Sequence, residues 1–176
     1  AVEFENGKVM LGKHQSLKEM NWPNILARFG RDKFSARFGS ADLVGFVNWT
    51  MLTYMSDIWE AVLTEISPTL RGPRRKLFFD LADPEKRTPE DLRRALDLIA
   101  RFELHFDVTL GLNQKEAVEV GRRALGLDVS DDSPDGLCRL GVEIQRRVPV
   151  NTILIHPVPY ALAVSGGQVS ITPGPT

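Results

Sequence analysis

One cysteine, Cys138, is all the thiol chemistry the 176-residue chain contains. No internal disulfide can form, and a reducing cytoplasm is the expected compartment. Long hydrophobic runs are missing too: none approaches the roughly 18 apolar residues that span a bilayer, so no membrane partner is expected. The opening Ala1-Val2-Glu3-Phe4-Glu5 is not a cationic segment followed by an apolar one, so it does not read as a secretory leader. Net charge is nearly absent, with 22 Lys and Arg against 23 Asp and Glu. That leaves no global basic field to recruit nucleic acid. No Gly-x-Gly-x-x-Gly occurs, which removes the dinucleotide fingerprint. Internal repeats, low-complexity tracts and linkers are lacking as well. At 43% hydrophobic and 26% charged residues, residues 1–176 read as a single domain, given about 150 residues per domain.

What is present is an alternation of periods. Val2 and Phe4, the turn signal Asn6-Gly7, and Val9-Met10-Leu11 predict a β-hairpin over residues 1–12. Trp22, Ile25, Leu26 and Phe29 recur at helical spacing within a stretch from Asn21 to Phe38 that breaks near Gly30. The apolar run Leu43 to Val47 then has strand length and ends at Asn48, and a helix follows over Thr53 to Ile66. The pattern repeats with a strand at Lys76 to Phe79 that ends in Asp80. Thr88-Pro89-Glu90-Asp91 next supplies an N-cap, a proline at N1 and an acid at N3. A third strand, Phe106 to Leu110, leads into a helix from Asn113 to Leu125 closed by Gly126. An acidic loop, a helix over Pro134 to Arg147, a strand at Thr152 to Ile155 and a hairpin around Gly166-Gly167 complete the chain. Strand runs apolar on both faces, alternating with helices, predict an α/β fold: a mostly parallel sheet with helices on both faces and a small N-terminal hairpin. Both chain ends are abrupt and read as cuts through a larger protein.

Open α/β sheets place ligands at the carboxyl ends of their strands. Polar residues gather there in this sequence: Asn48 after the first strand, Asp80 and Asp83 after the second, Asn113 and Glu116 after the third, and His156 after the fourth. Asn113-x-x-Glu116 is by itself explained as a capping box, in which side chains and amides of positions N-cap and N3 satisfy one another. An amide and a carboxylate at that edge also suit hydrated magnesium, which keeps several waters and needs only one or two carboxylates beside phosphates. Asp83-Pro84 starts a turn, and Arg87 either clamps a phosphate or faces solvent.

Other matches are weaker. Gly7-Lys8-Val9-Met10-Leu11-Gly12-Lys13-His14 imitates a P-loop, but His14 replaces the magnesium-holding Ser/Thr, and its interior is strand-forming. His105 and Asp107 lack a third metal ligand. The basic run Arg71 to Lys76 precedes a strand at the edge away from the ligand side and reads as a solvated loop. The acidic loop 128–135 lacks the glycine and the terminal acid of a calcium loop.

This order of pieces resembles the central portion of the ribokinase-type (PfkB) carbohydrate kinases over most of residues 40–172. Asp83-Pro84-Glu85-Lys86-Arg87 is similar to that family's Asp-Pro-Asn-x-Arg, with Glu85 where Asn is usual and Asp80 competing as the equivalent Asp. Asn113 and Glu116 match its Asn-x-x-Glu, and residues 2–11 resemble part of its β-lid. At the strand leading to the nucleotide, His156-Pro157-Val158 stands where Thr-x-Gly is common. The resemblance implies phosphoryl transfer from a nucleotide, ATP foremost, to a sugar hydroxyl, with Mg2+ placed by Asn113 and Glu116. Nucleotide or substrate would meet Asn48, Asp80, Asp83, Arg87 and His156, and the lid would allow a homodimer. The family's Gly-x-Gly-Asp, which carries the anion hole and the catalytic base, is absent from these residues. Residues 1–176 are therefore expected to turn over little or no substrate. The competing reading is a non-catalytic α/β ligand-binding or interaction domain.

Overall fold

The computed structural model describes residues 2–5, 7–9 and 15–174. Two short strands, β1 (Val2–Phe4) and β2 (Gly7–Val9), form the antiparallel hairpin. Phe4 pairs with Gly7, so Gly7 belongs to the returning strand rather than to the expected turn. Asn6, Met10, Leu11 and the remainder of the P-loop-like stretch to His14 lie outside the described residues.

The helical hairpin follows as α1 (Trp22–Phe29) and α2 (Arg31–Ser40), separated at Gly30. Gly30 sits at φ 89°, a backbone setting that favours a residue without Cβ. Three strand–helix units then build the sheet. β3 (Leu43–Phe46) leads to α3 (Met55–Ala61), and β4 (Arg75–Asp80) leads to α4 (Pro89–Phe102). β5 (Phe106–Leu112) leads to α5 (Gln114–Glu119). Both α3 and α5 widen at their ends into five-residue π turns, Val62–Ile66 and Val120–Ala124. Then come α6 (Pro134–Arg147), β6 (Thr152–Ile155), β7 (Tyr160–Ser165) and β8 (Gln168–Pro173). The sheet order is β3-β4-β5-β6-β7-β8, parallel through β6 and antiparallel beyond. The expected helix starts are as read: Thr88 Oγ1 accepts from the Asp91 amide, and Ser133 Oγ from that of Gly136.

The α/β class and the mostly parallel sheet agree with the sequence; helices on both faces do not. Leu77, Phe79, Val108, Leu110, Ile153 and Ile155 share one face and are buried. On that face Phe79 meets Trp59 of α3 and Phe102 of α4, at ring centroid separations of 4.9 and 5.4 Å. Phe38 of α2 reaches Phe46 and Phe106, and Gly141 of α6 presses against Val164 and Ile155. Every described helix packs there, directly or through a neighbour. The opposite face, carrying Gly45, Phe78, Thr109, Leu154 and Ala163, is only half-buried or exposed, apart from Gly111 beneath the Phe78 ring. The reason is topological: right-handed crossovers that all step the same way across a sheet deliver every helix to one side. The apolar residues of the open face made the strands read as doubly buried.

Phe79 is fully buried at the centre of this aromatic cluster. Phe79→Ala should cost about 3–5 kcal/mol of stability through lost burial and the cavity left behind. Urea unfolding measures it, and an unchanged midpoint would contradict the packing described.

Candidate functional site

At the carboxyl edge of the sheet end four adjacent parallel strands, and the turns after the first two, β3 and β4, have an unusual shape. The three described non-glycine residues with positive φ all lie there: Asn48 at 64°, Ala82 at 55° and Asp83 at 59°. Asn and Asp visit this region readily, but Ala has no polar side chain to compensate. Each such residue costs on the order of 1–3 kcal/mol and persists only where its surroundings hold it.

The holding groups are visible. Asp80 Oδ1 accepts from the Ala82 amide at 2.9 Å. Glu116, only 5% exposed, has both carboxylate oxygens engaged. Its Oε2 accepts from the Asn113 amide at 2.9 Å, while Asn113 Oδ1 accepts from the Glu116 amide at 2.9 Å. That is the capping box read from the sequence. Glu116 Oε1 does something the capping box does not require. It accepts from the Asp83 amide at 2.9 Å, across 33 positions of chain. A hydrogen bond to a charged acceptor contributes about 1.5–3 kcal/mol, so this tie is comparable to the strain it opposes. The β3 turn joins the same unit, because the Thr50 amide donates to Leu81 O at 3.0 Å.

Around this core the carboxylates facing solvent are paired with lysines. Lys86 Nζ lies 2.8 Å from Asp83 Oδ2, and Lys115 Nζ lies 2.7 Å from Glu85 Oε2. The hydrogen bond and charge of Lys86 hold the Asp83 carboxyl below its ordinary range, and Glu85 raises the Lys115 ammonium. Asp80 Oδ2 accepts no hydrogen bond among the described residues, so one oxygen of that carboxylate remains available.

Arg87 is placed differently from either sequence expectation. Its guanidinium lies over the buried Trp49 ring, 4.7 Å from the centroid, and Nη2 donates to the carbonyls of Leu52 and Thr53, each at 3.3 Å. The Arg87 side chain is 17% exposed. Arg123, itself beside Glu119, donates to the Arg87 carbonyl at 2.8 Å. The guanidinium thus mortars the β3–α3 connection to the β4–α4 connection. Trp49 and Arg123 carried no signal in the sequence beyond their neighbours; a cation–π stack has no fixed spacing.

Glu116, Asp83 and Asn113 therefore form one hydrogen-bonded unit, with Asp80 beside it and Arg87 behind it. Asn48 and His156 are exposed at the ends of β3 and β6, and the His156 amide donates to Leu112 O at 3.0 Å. The edge is a shelf rather than a pocket. Its dent between Asp83, Glu85, Lys115, Glu116 and Glu119 has no room for even a water-sized sphere, whereas small-molecule sites run to about 300–1,000 Å³. Larger clefts lie beside and away from it: one between Gln114 and Lys115 at the start of α5 and the loop before α6, one along that loop itself, and one at the amino edge near Pro149. Among the described residues no group of three or more His, Cys, Asp or Glu could cage a metal ion. The donor set does suit magnesium that arrives hydrated on phosphates, since it needs only one or two carboxylates.

The weaker sequence candidates have local explanations. Arg74, just before β4, binds Glu103, Asp107 and two main-chain carbonyls, which occupies this member of the basic run and pairs Asp107. In the acidic loop Asp131 accepts from the Ser133 amide and pairs with Arg139. No described helix is long and apolar enough to cross a membrane.

A family model described as prokaryotic ketohexokinase matches residues 1–175. A ketohexokinase of Haloferax volcanii is 30% identical over 132 residues, which are 75% of this chain and 35% of that protein. The chain thus spans about a third of the length of this relative. The structure of a 2-dehydro-3-deoxygluconokinase from Thermotoga maritima superposes with a TM-score of 0.56 at 16% identity, over 78% of this chain and 42% of that one. That likeness concerns the fold.

Two outcomes follow from the geometry. Lys86→Met should raise the Asp83 titration midpoint toward that of an ordinary aspartate, as followed by side-chain carboxyl NMR. A carboxyl held low stabilises the fold above its unfolded value, and the gain disappears as pH falls through the folded one. With both side chains about half exposed, global stability should change little. Arg87→Lys, which removes the planar fork and weakens the stack, should cost about 1–2 kcal/mol in urea unfolding.

Proposed function

The chain belongs to the prokaryotic ketohexokinase family, within the PfkB-type carbohydrate kinases that its motifs resemble, and on that footing we propose that it builds the metal and phosphate corner of a sugar kinase. The reaction is phosphoryl transfer from ATP to a hydroxyl of a ketohexose. The observation that carries this reading is the row of polar turn residues at one sheet edge, on four consecutive parallel strands, in a chain of this family. Phosphoryl transfer is chiefly positioning and charge neutralisation, and magnesium supplies the positive charge shared between phosphate oxygens.

The chain's own residues divide the remaining work. Asp80 and Asp83 would help hold the hydrated metal through their carboxylates. Asn113 and Glu116 shape the turn on which those groups stand. Asn48 and His156, exposed at the flanking strand ends, meet nucleotide or sugar. Arg87 acts behind the surface by fixing two turns against each other. Residues 1–176 read as one α/β domain that works in the cytoplasm. Its hairpin, with Phe4 63% exposed, acts as a lid over the sugar and as the surface for a homodimer. No Gly-x-Gly-Asp occurs in the sequence, so these residues supply the metal side of the reaction and not its base.

Thermal unfolding with magnesium, ATP and D-fructose tests the reading, because a ligand that binds the native state raises its midpoint. Magnesium-dependent stabilisation by ATP is expected, and Asp83→Asn should weaken it about tenfold or more in apparent affinity. No magnesium-dependent shift with any nucleotide would overturn the assignment. Rapid fructose-dependent ATP consumption by residues 1–176 would overturn the division of labour.

A further inference from the structure

We propose that the free edge of β8 pairs with the β8 edge of a second copy of this chain, antiparallel about a twofold axis at Ser170. The two sheets then continue as one. This surface is separate from the N-terminal hairpin, which forms a sheet of its own.

The edge lacks what usually protects one. β8 ends the six-stranded sheet and has only β7 beside it among the described residues. Its residues, Gln168-Val169-Ser170-Ile171-Thr172-Pro173, are all exposed and include no charged side chain. Proteins blunt exposed edges with charges, bulges, prolines or very short strands, because unpaired N–H and C=O groups template another strand. The opposite edge, β3, has only four residues, one of them Gly45. In β8 the β-branched Val169, Ile171 and Thr172 favour extended backbone instead. Only Pro173 limits the run, and it stands at the last position.

Register decides which groups are free. The Gly166–Gly167 turn, with φ 56° and 76°, leads from Ser165 to its partner Gln168. In a two-residue hairpin that flanking pair exchanges both hydrogen bonds, and the pattern alternates from there. Ser170 and Thr172 therefore bond to β7, opposite Ala163 and Ala161. Val169 and Ile171 turn their N–H and C=O groups outward. Pro173 faces the same way, and its ring leaves no N–H there to satisfy.

The free groups are self-complementary. With Ser170 on the axis, Val169 of each copy lies opposite Ile171 of the other, and each such pair exchanges two hydrogen bonds. Their side chains share the face of Leu162 and Val164, which are buried. Val169 is 38% exposed and Ile171 52% exposed, so pairing brings exposed β-branched side chains together across the strands. No charge on the strand opposes the meeting of two copies. Pairing uses up the edge, so association through it stops at two.

Analytical ultracentrifugation and disulfide trapping test this. The parent chain should self-associate. Val169→Lys with Ile171→Lys puts like charges opposite one another and should weaken that association about tenfold or more. Val169→Glu with Ile171→Lys sets each glutamate against a lysine and should recover most of the loss. Under a mild oxidant, Ser170→Cys in a Cys138→Ser background should form a covalent dimer. Facing residues on the axis are about 4.5 Å apart at Cα, within disulfide reach. Gln168→Cys in the same background should not, since its counterpart lies at the far end of the paired strands. Should the lysine variant not fold by circular dichroism, the two cysteine variants still decide. A monomeric parent would overturn the proposal. So would association that the two lysines leave unchanged, because it would use another surface, the hairpin included. Equal cross-linking at positions 168 and 170 would overturn the twofold register.

Discussion

A buried carboxylate that accepts backbone amides from two different strand ends is the constraint on which this edge depends. Glu116 caps its own helix with one oxygen and fastens the end of β4 with the other. The result is that two neighbouring turns cannot move independently. The amino edge repeats the device: Glu103 Oε2 accepts from the amides of Val108 and Asn151, at 3.1 and 2.8 Å, while Arg74 neutralises it. Such bonds matter because a strand end has no ladder partner, and an unpaired buried amide costs about 1–3 kcal/mol.

Beneath these ties the sheet is stabilised asymmetrically. The helix-bearing face buries an aromatic cluster in which Phe46, Trp59, Phe79, Phe102 and Phe106 lie within 4.9–6.0 Å of their partners. The cluster sits under β3 to β5, the strands that carry three of the polar turns. A rigid base and strained turns belong together. Left-handed Ala82 can be held only if the strands on either side do not yield. Arg87 extends the same logic, since its guanidinium on Trp49 fixes a turn from behind without reaching the ligand surface.

Much of this was legible in the chain because it depends on neighbours in sequence. Asn113-x-x-Glu116 reads as a capping box and forms one, since both bonds close within four residues. Thr88-Pro89-Glu90-Asp91 and Gly126 mark helix ends for the same reason. The strand ends could be counted, and with them Asn48, Asp80, Asp83, Asn113 and His156 could be set on one edge. The second bond of Glu116 could not be read, because the Asp83 amide lies 33 positions away. Arg87 illustrates the limit from the other side. Its residue type permits a phosphate clamp or a solvated charge, and only packing decides that it meets Trp49.

Composition, hydrophobic period and local capping thus determined the class of fold, the order of its elements and which residues come to the sheet's carboxyl edge. These follow from interactions spanning a few residues, which hold wherever the segment sits. The tertiary structure alone decided that every described helix takes one face, that Ala82 and Asp83 are held left-handed, and which carboxylate is buried and which open. Those outcomes depend on crossover handedness and on contacts between distant segments, and such contacts are set only when the whole sheet closes around its core.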